Sequence, residues 1–414
     1  MPALPVVAVV YDLGSAGPTD VLRAARGLCI PLFVYDRASG VPEGVLDLLA
    51  GLDDTLDVTG WSTQRVAEEL RRRDVAGIVT FAEYQIRRTA ELADLLALPY
   101  QDTATARRLT DKARQREALA AARVDTTRTA VLDTVADVAT ALSTVGLPAV
   151  LKPAVGGSSR NCFLVTTADQ CARTAARLLD GVEDQLVLEE YLVGAPQESW
   201  GDYVSVECLT VEGGHVPIAV TGKLPLSATG FKETGMFVPA ELDPELSAEI
   251  ERLAVAALGA LGLRTGLTHT EIKLTPEGPR LIEVNGRLGG HVADLVRRAG
   301  GPDLVRLALR AALGTVTPPR RAEWDRVSFQ YFVLPPDGAT TVHDVHGVAE
   351  VRALPGVTKV ELADLPRTLP AVADGVSSRL GTVYGAVANH TQLRFLSRLV
   401  GERLRPAVDP EVTR

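Results

Sequence analysis

The sequence is poor in lysine and cysteine, and these shortages exclude several kinds of site. Only six of the 414 residues are lysines, so arginine carries most of the positive charge. The four cysteines lack the spacing of zinc ligands or of a thioredoxin motif, which favours buried thiols in a reducing cytosol. No signal-type segment opens the chain, and no apolar run approaches the ~18 residues of a membrane helix. We therefore expect a cytoplasmic protein with no membrane partner.

Acidic residues outnumber basic ones, which argues against nucleic acid as the main partner. The formal net charge is −9, whereas nucleic-acid binding depends on an excess of lysine and arginine. An apolar content of 46% is typical of an ordinary globular protein, and the length allows two or three domains. Anionic substrates would need local positive charge, and the few lysines are candidates to supply it.

The stretch 268–291 predicts a β-hairpin with charged side chains on one face. Apolar residues recur mostly at every second position on both sides of the turn-forming segment 275–279. A turn symmetric about Glu277 predicts three cross-strand pairs: Glu271 with Glu283, His269 with Asn285, and Lys273 with Leu281. A one-residue slip would remove this arrangement.

Two carboxylates and one carboxamide on this face predict a site for a hard cation. Like charges placed opposite each other are destabilising unless something compensates them. Glu271, Glu283 and Asn285 provide the oxygen ligands that magnesium takes between a protein and substrate phosphates. Arg287 adds two-pronged recognition of an oxyanion. The alternative is a solvated strand face with scattered charges.

Residues 1–102 alternate buried strands with helices, which predicts an open parallel α/β sheet. The glycine turn at 14–17 lacks the G-x-G-x-x-G spacing, which argues against dinucleotide binding. A charged helix is expected over 103–119, and helical spacing extends from 292 to 313. Short strands are expected at 327–334, 348–353 and 358–362, followed by a terminal helix.

Lys152 ends a predicted buried strand and precedes a glycine-rich turn at 156–160, after which another strand is expected. Backbone N–H groups in such a turn can surround phosphate oxygens, and a lysine can contact the same oxygens as a point charge. The lysine precedes the glycines, so this is not a P-loop. A plain hairpin is the alternative.

Six segments in order resemble the ATP-grasp superfamily and, within it, carboxylate-amine ligases of the L-amino acid ligase type. They are TDKARQREAL (110–119), VLKPAVGGSSR (150–160), LVLEEYLVG (186–194), YVSVE (203–207), GKLPLSATGFKETGMFVPAEL (222–242) and GLTHTEIKLTPEGPRLIEVNGRLGG (266–290). The resemblance covers the chain from about Val6 to Gly314. It implies an α/β and α+β architecture: an N-terminal open parallel α/β domain over 1–102, an ATP-grasp domain over 103–315 with a lid at roughly 125–190 and a large antiparallel sheet, and a C-terminal α+β domain over 316–414.

The resemblance also implies a site for ATP and Mg²⁺. The residues it assigns to the phosphates are Lys112, Lys152, Gly156, Gly157, Ser158 and Ser159, and those around adenine are Glu189, Glu190, Tyr191 and Leu192. The magnesium ligands it implies are Glu271 and Glu283, with Asn285 beside them. The catalytic candidates are Arg287, Lys273, His269 and Glu233. An insertion departs from the family pattern near the ribose, where either Glu198 or Asp202 would serve.

The implied chemistry is that of an ADP-forming ligase. A small carboxylate, such as an amino acid, attacks the γ-phosphate of ATP, and an amine or second amino acid then displaces phosphate from the acyl phosphate. Arg287 and the amides of Gly289 and Gly290 suit the acyl phosphate and the oxyanion that follows. Homodimers are common in the family. The alternatives are a carboxylase that activates bicarbonate, a non-catalytic ATP-binding module, and an NAD-dependent dehydrogenase, against which the absent fingerprint argues.

Overall fold

The computed structural model describes residues 3–157, 159–227, 231–317, 319, 322–369 and 379–409. The first part of the chain forms a parallel sheet in the strand order β3-β2-β1-β4. Its elements are β1 (Val6–Tyr11), α1 (Pro18–Ala25), β2 (Ile30–Tyr35), α2 (Glu43–Ala50), β3 (Thr55–Asp57), α3 (Thr63–Arg72), β4 (Val75–Val79) and α4 (Ile86–Leu96). The predicted open parallel α/β sheet is therefore confirmed.

Two helices follow where one was predicted: α5 (Thr103–Thr110) and α6 (Lys112–Ala121). The break falls at Asp111, whose backbone is extended and whose carboxylate accepts the N–H of Arg114 at 3.2 Å as the cap of α6. The backbone N–H of Lys112 donates to the carbonyl oxygen of Ala154 at 2.9 Å. The break therefore places Lys112 beside the segment that leads into the glycine-rich turn.

A small antiparallel sheet carries the glycine-rich turn. Its elements are β5 (Thr129–Leu132), α7 (Val138–Val145), β6 (Ala149–Pro153), β7 (Phe163–Val165), α8 (Ala168–Leu179) and β8 (Leu186–Glu190), with strand order β5-β8-β6-β7. The two helices pack on the sheet around buried Leu151 and Leu188. The predicted order of strand, glycine turn and strand is present in β6 and β7.

A large antiparallel sheet begins with β9 and holds the hairpin. Its first elements and the helices near them are β9 (Tyr203–Val211), β10 (Gly214–Lys223), β11 (Gly235–Val238), α9 (Pro244–Leu261), β12 (Gly266–Thr275), β13 (Gly278–Asn285), α10 (Val292–Arg298) and α11 (Leu304–Ala312). The predicted helical stretch from 292 to 313 is interrupted, because Gly300 has a left-handed φ of 88° and Pro302 precedes the start of α11.

The remaining segment adds strands to this sheet and forms a small sheet of its own. Its elements are β14 (Val327–Val333), β15 (Thr341–His346), α12 (Val348–Arg352), β16 (Val357–Leu362), β17 (Arg367–Thr368), β18 (Gly381–Val387), α13 (His390–Arg403) and β19 (Arg405–Val408). The large sheet has the order β13-β12-β9-β10-β11-β14-β18-β16, and the small one has β17-β15-β19. The strand predicted at 348–353 is wrong, since Gly347 turns the chain into α12 with a φ of 84°. In the described ranges, no helix combines the length and the apolar character that crossing a bilayer requires.

The hairpin β12–β13 has most of the predicted register. Two of the three predicted pairs are present, Glu271 with Glu283 and His269 with Asn285. Lys273 instead lies opposite Arg280, and the predicted pair with Leu281 is wrong. The turn contains two residues rather than being centred on one, and a β-bulge at Ile282 restores the register at the two glutamates.

Candidate active site

A cavity of about 550 Å³ brings together residues from every part of the chain that was predicted to bind ATP. The predicted residues that line it are Lys112, Lys152, Gly156, Gly157, Ser159, Glu189, Glu190, Tyr191, Leu192, Glu233, His269, Glu271, Lys273, Glu283 and Arg287. Asn285 contacts two of these side chains without lining the cavity itself. Ser158 lies outside the described residues. The sequence interpretation thus located the cavity, while the individual roles stay predictions.

A buried ion network forms one wall of the cavity. Glu189, the fourth residue of β8, accepts from Arg116 Nε at 3.0 Å and Nη2 at 2.9 Å, and its Oε2 lies 2.8 Å from Lys152 Nζ. Burial raises the pKa of Glu189, but the two cations outweigh burial and lower this pKa to about 2. The carboxylate is therefore charged at neutral pH, and it fixes Lys152 at the end of β6.

Arg116 belongs to this network but was not among the predicted site residues. The side chain is 7% exposed, and its guanidinium also donates to the carbonyl oxygens of Leu281 at 3.0 Å and Ile282 at 2.7 Å. Arg116 follows Lys112 by four residues, so both lie on the same face of α6. That spacing was the available signal.

The glycine-rich turn lies over Lys112. The Nζ atom of Lys112 donates to the carbonyl oxygen of Gly156 at 2.7 Å and lies 3.7 Å from Oε2 of Glu283. The turn is held on its other side by Glu183, which contacts Arg160 at 2.6 Å and Asn161 at 2.5 Å. A single lysine therefore links the turn to the hairpin across the cavity.

The two facing glutamates lie in a positively charged surrounding. Burial raises the pKa of Glu283, while Lys112, Lys152, Asn285 and Arg287 together hold this pKa below its usual value. The amide of Asn285 donates to Glu283 at 3.2 Å, and its oxygen accepts from Arg287 Nη2 at 3.3 Å. In this geometry Asn285 orients the charged groups on either side of it.

The facing carboxylates fit a divalent cation that is shared with phosphates. Among the described residues, no group of three or more His, Cys, Asp or Glu side chains could hold a metal ion. Glu271 and Glu283 would then bind through two carboxylates and leave the remaining positions to oxygens from outside the protein. Magnesium has this preference, because it keeps several waters and is bound by one or two carboxylates together with substrate phosphates.

His269 is held by carboxylates at both ring nitrogens. Its Nδ1 pairs with Glu207, which is fully buried, and its Nε2 lies 3.3 Å from Oε1 of Glu271. Burial lowers the pKa of His269, but the two carboxylates outweigh burial and raise the pKa to about 9. Glu207 also accepts the backbone N–H of Gly289 at 3.1 Å. With both nitrogens engaged, the imidazolium orients Glu271.

Arg287 contacts the N-terminal part of the chain. Its Nε lies 3.1 Å from Oε2 of Glu83, and its Nη1 donates to the carbonyl oxygen of Leu288 at 3.0 Å. Burial raises the pKa of Glu83, and Arg287 offsets only part of that rise. Glu83 was not among the predicted site residues, and the structure pairs it with the predicted catalytic arginine.

Two further lysine–carboxylate pairs line the cavity. Lys223 is 1% exposed, and its Nζ lies 2.7 Å from Oε1 of Glu233. Lys273 donates to Oδ1 of Asp202 at 2.7 Å. Of the two ribose candidates, Asp202 thus lies beside a cavity residue, whereas Glu198 is exposed. Lys223 was not among the predicted site residues, although the scarcity of lysine was a signal for it.

The predicted adenine segment lies where β8 ends. Glu190 is the last residue of the strand, and its carboxylate pairs with Arg128 at 2.6 Å and Arg280 at 3.2 Å. The backbone N–H of Tyr191 donates to the carbonyl oxygen of Pro148 at 3.2 Å. The side chain of Glu190 is therefore used within the protein, and binding of a base there would fall to the remaining backbone groups.

Much of the sequence that forms this site matches the model of a known protein family. Residues 145–294 match the ATP-grasp domain model. These residues form an ATP-grasp domain. The matched range contains the glycine-rich turn, both glutamates of the hairpin and Arg287, so the resemblance inferred from the six sequence segments is confirmed.

Two curated relatives of the chain are named as a ligase and a synthase. The chain is 30% identical over 250 residues to alanine–anticapsin ligase of Bacillus subtilis (strain 168), an alignment that covers 56% of this chain and 52% of that one. It is 32% identical over 188 residues to carnosine synthase 1 of Gallus gallus, covering 42% of this chain and 20% of the relative. The chain thus spans about half the length of the first and a fifth of the second. Their names agree with the predicted enzyme class.

The solved structure of L-amino acid ligase from Bacillus licheniformis has the same fold as this chain. The TM-score is 0.77 at 20% sequence identity, and the match covers 99% of this chain and 100% of that one. At this identity the likeness is one of fold. It confirms the predicted ATP-grasp architecture over nearly the whole chain.

Proposed function

We propose that the chain is an ATP-dependent ligase. It activates a small carboxylate as an acyl phosphate and joins it to an amine, releasing ADP and phosphate. One observation carries the proposal: Glu271 and Glu283 face each other in a cavity that Lys152 and Arg287 also line. Facing carboxylates surrounded by fixed cations suit Mg²⁺ and phosphates, and the names of the relatives point to formation of a carbon–nitrogen bond.

The phosphates of ATP would be bound by Lys112, Lys152 and the amides of the glycine-rich turn. Both lysines are held in place by carboxylates, so they need little reorganisation when phosphate arrives. Preorganised cations stabilise the charge that develops during phosphoryl transfer, where the protein contributes mainly positioning and electrostatics. The residues of the chain thus supply the positive half of the site.

Glu271 and Glu283 would hold Mg²⁺, with Asn285 orienting Glu283. When bound, the ion would neutralise charge on the phosphates. The imidazolium of His269 fixes one carboxyl oxygen of Glu271. The remaining ligand positions would be filled by phosphate and water.

Arg287 would steady the acyl phosphate while the amine arrives. Its guanidinium provides two-pronged binding to an oxyanion. Of the two glycine amides expected to assist, that of Gly289 already donates to Glu207, which leaves the amide of Gly290, a residue that lines the cavity, as the candidate. The small-molecule carboxylate and the amine, each an amino acid in the simplest case, would thus meet between Arg287 and Glu233.

A screen for ADP release tests the proposal. The purified chain is mixed with ATP, Mg²⁺ and pairs of amino acids, other small carboxylates and amines, and the products are weighed by mass spectrometry. A ligase gives ADP and a product whose mass is that of both substrates less one water. ADP release that depends on bicarbonate alone would indicate a carboxylase. Nucleotide binding without ADP release from any pair would contradict ligase activity.

A further inference from the structure

Among the basic side chains that line the cavity, Arg379 has no part in the proposed chemistry. Arg379 lines the cavity two residues before β18, near His291 and Glu233. It comes from the C-terminal part of the chain, outside the residues that match the ATP-grasp domain model. None of the six sequence segments contains it.

Arg379 differs from the other basic side chains of the cavity in its partners. Each of the others pairs with a carboxylate of the described chain. The pairs are Lys112–Glu283, Arg116–Glu189, Lys152–Glu189, Arg160–Glu183, Lys223–Glu233, Lys273–Asp202 and Arg287–Glu83. Arg379 forms no ion pair with any carboxylate in the ranges that the structure describes.

The guanidinium of Arg379 is instead held by two uncharged groups. Its central carbon lies 3.4 Å from the centroid of the Phe332 ring, and its Nη1 lies 3.0 Å from Nε2 of His291. Burial and the neighbouring Arg379 lower the pKa of His291 to about 4, so the ring is neutral at neutral pH and its nitrogen can accept from the guanidinium. These contacts fix the orientation of the Arg379 guanidinium and leave further N–H donors for a ligand.

We propose that Arg379 binds a substrate carboxylate other than the one that is activated. Arg379 is half-buried, and Glu233 attracts it without forming an ion pair. A cation held in this way can take an anion from outside the protein, and its planar fork suits the two oxygens of a carboxylate. The inference rests on the proposed ligase function and specifies its substrates: one of the two carries a second negative group. That group is either a side-chain carboxylate of the acid or the free carboxylate of an amino acid that acts as the amine.

Paired substrates distinguish the two sources. In one arm, aspartate and glutamate are compared as acids with asparagine and glutamine. In the other, the amino acid that serves as the amine is compared with its own carboxamide, which lacks the negative charge. KM for each compound is measured in the wild type and in Arg379→Met. Arg398→Met is the matched control, because Arg398 also lies over a phenylalanine ring but is exposed.

In the arm that varies the carboxylate bound by Arg379, the wild-type KM of the neutral compound should be about tenfold to a hundredfold higher than that of the charged compound. This is the effect expected for a lost charge-assisted contact. Arg379→Met should raise KM for the charged compound by a similar factor, leave KM for ATP unchanged, and abolish the difference between charged and neutral compounds. Arg379→Lys should restore part of the preference. Arg398→Met should behave as the wild type.

Equal effects of Arg379→Met on charged and neutral compounds in both arms would overturn the inference. ADP release only from the compounds that lack the additional carboxylate would also overturn the inference, although the chain would still be a ligase. If no pair releases ADP, the paired compounds of both arms are compared by calorimetric titration in the presence of a non-hydrolysable ATP analogue. A carboxylate preference that is lost in Arg379→Met would then support the anion site while ligase activity fails, and no preference would overturn both.

Discussion

Lys152 and Glu189 form a buried ion pair, with 2.8 Å between Nζ and Oε2. Glu189 is shared with Arg116, so it keeps one cation when phosphate draws the lysine away. The lysine can therefore serve a nucleotide without leaving an unpaired buried carboxylate. Such a pair keeps Lys152 oriented before ATP arrives.

Lys152→Met should weaken ATP binding. The loss of one charge-assisted contact is expected to raise the dissociation constant about tenfold to a hundredfold. Calorimetric titration with a non-hydrolysable ATP analogue measures this, and Lys359→Met, which removes an exposed lysine of β16, is the control. An unchanged affinity in Lys152→Met would mean that this ion pair only supports the sheet.

Glu271→Gln and Glu283→Gln should each shift the magnesium dependence of ADP release upward by about tenfold or more. Each change removes the negative charge of one proposed ligand while keeping its shape. Glu277→Gln is the matched control, since Glu277 lies exposed at the turn of the same hairpin. If all three variants required the same magnesium concentration, the facing glutamates would be structural.

Gly289→Ala should disturb the cavity, whereas Gly290→Ala should not. A Cβ atom on Gly289 would collide with the ring of His269 and approach Glu207 to 2.8 Å, while one on Gly290 would meet no heavy atom within 4 Å. Overpacking of this kind costs about 1 to 3 kcal/mol of unfolding free energy. Urea unfolding of both variants measures the difference. Equal unfolding free energies would show that the loop after β13 can move to accommodate the added methyl group.

The pair of Glu207 and His269 should make stability depend on pH. The pKa of His269 is about 9 in the folded protein, above its usual value of 6.5. The stabilisation is therefore fully present below the unfolded pKa and is lost as pH rises through the folded one, a change of about 3 kcal/mol. Glu207→Gln should lower the folded pKa and reduce this loss.

Urea unfolding at about pH 6 and about pH 10, without nucleotide or magnesium, tests this linkage. The side-chain oxygen of glutamine at position 207 can still accept the backbone N–H of Gly289. The variant therefore removes the negative charge while keeping this hydrogen bond. The wild type should lose more unfolding free energy between the two pH values than the variant does. Equal losses would mean that the carboxylate of Glu207 does not raise the pKa of His269.

The alternation of apolar residues predicted the hairpin and the pairing of its glutamates, because strand faces repeat every two residues. The pair of Lys273 with Leu281 was wrong because a short turn and the bulge at Ile282 each shift the register by one. Their shifts cancel at Glu271. Bulges have no period, so only the folded chain shows where one lies.

Contacts between distant segments were the least predictable part of the site. Lys112 and Lys152 were identified from motifs, but the pairing of Arg287 with Glu83 joins residues from different parts of the chain. Arg379 has no motif at all. Periodicity reports which face of an element is buried and says nothing about which distant residue meets it.

The carbonyl oxygens that Arg116 binds in the hairpin belong to β13, an edge strand of the large sheet. The next residue of the same helix, Gln115, exchanges two hydrogen bonds of 2.8 Å with the backbone of Val284. An exposed edge strand offers its backbone to strands of other molecules, which promotes aggregation. The helix that brings Lys112 to the cavity therefore also covers this edge, and loosening α6 should expose the chain to self-association as well as open the site.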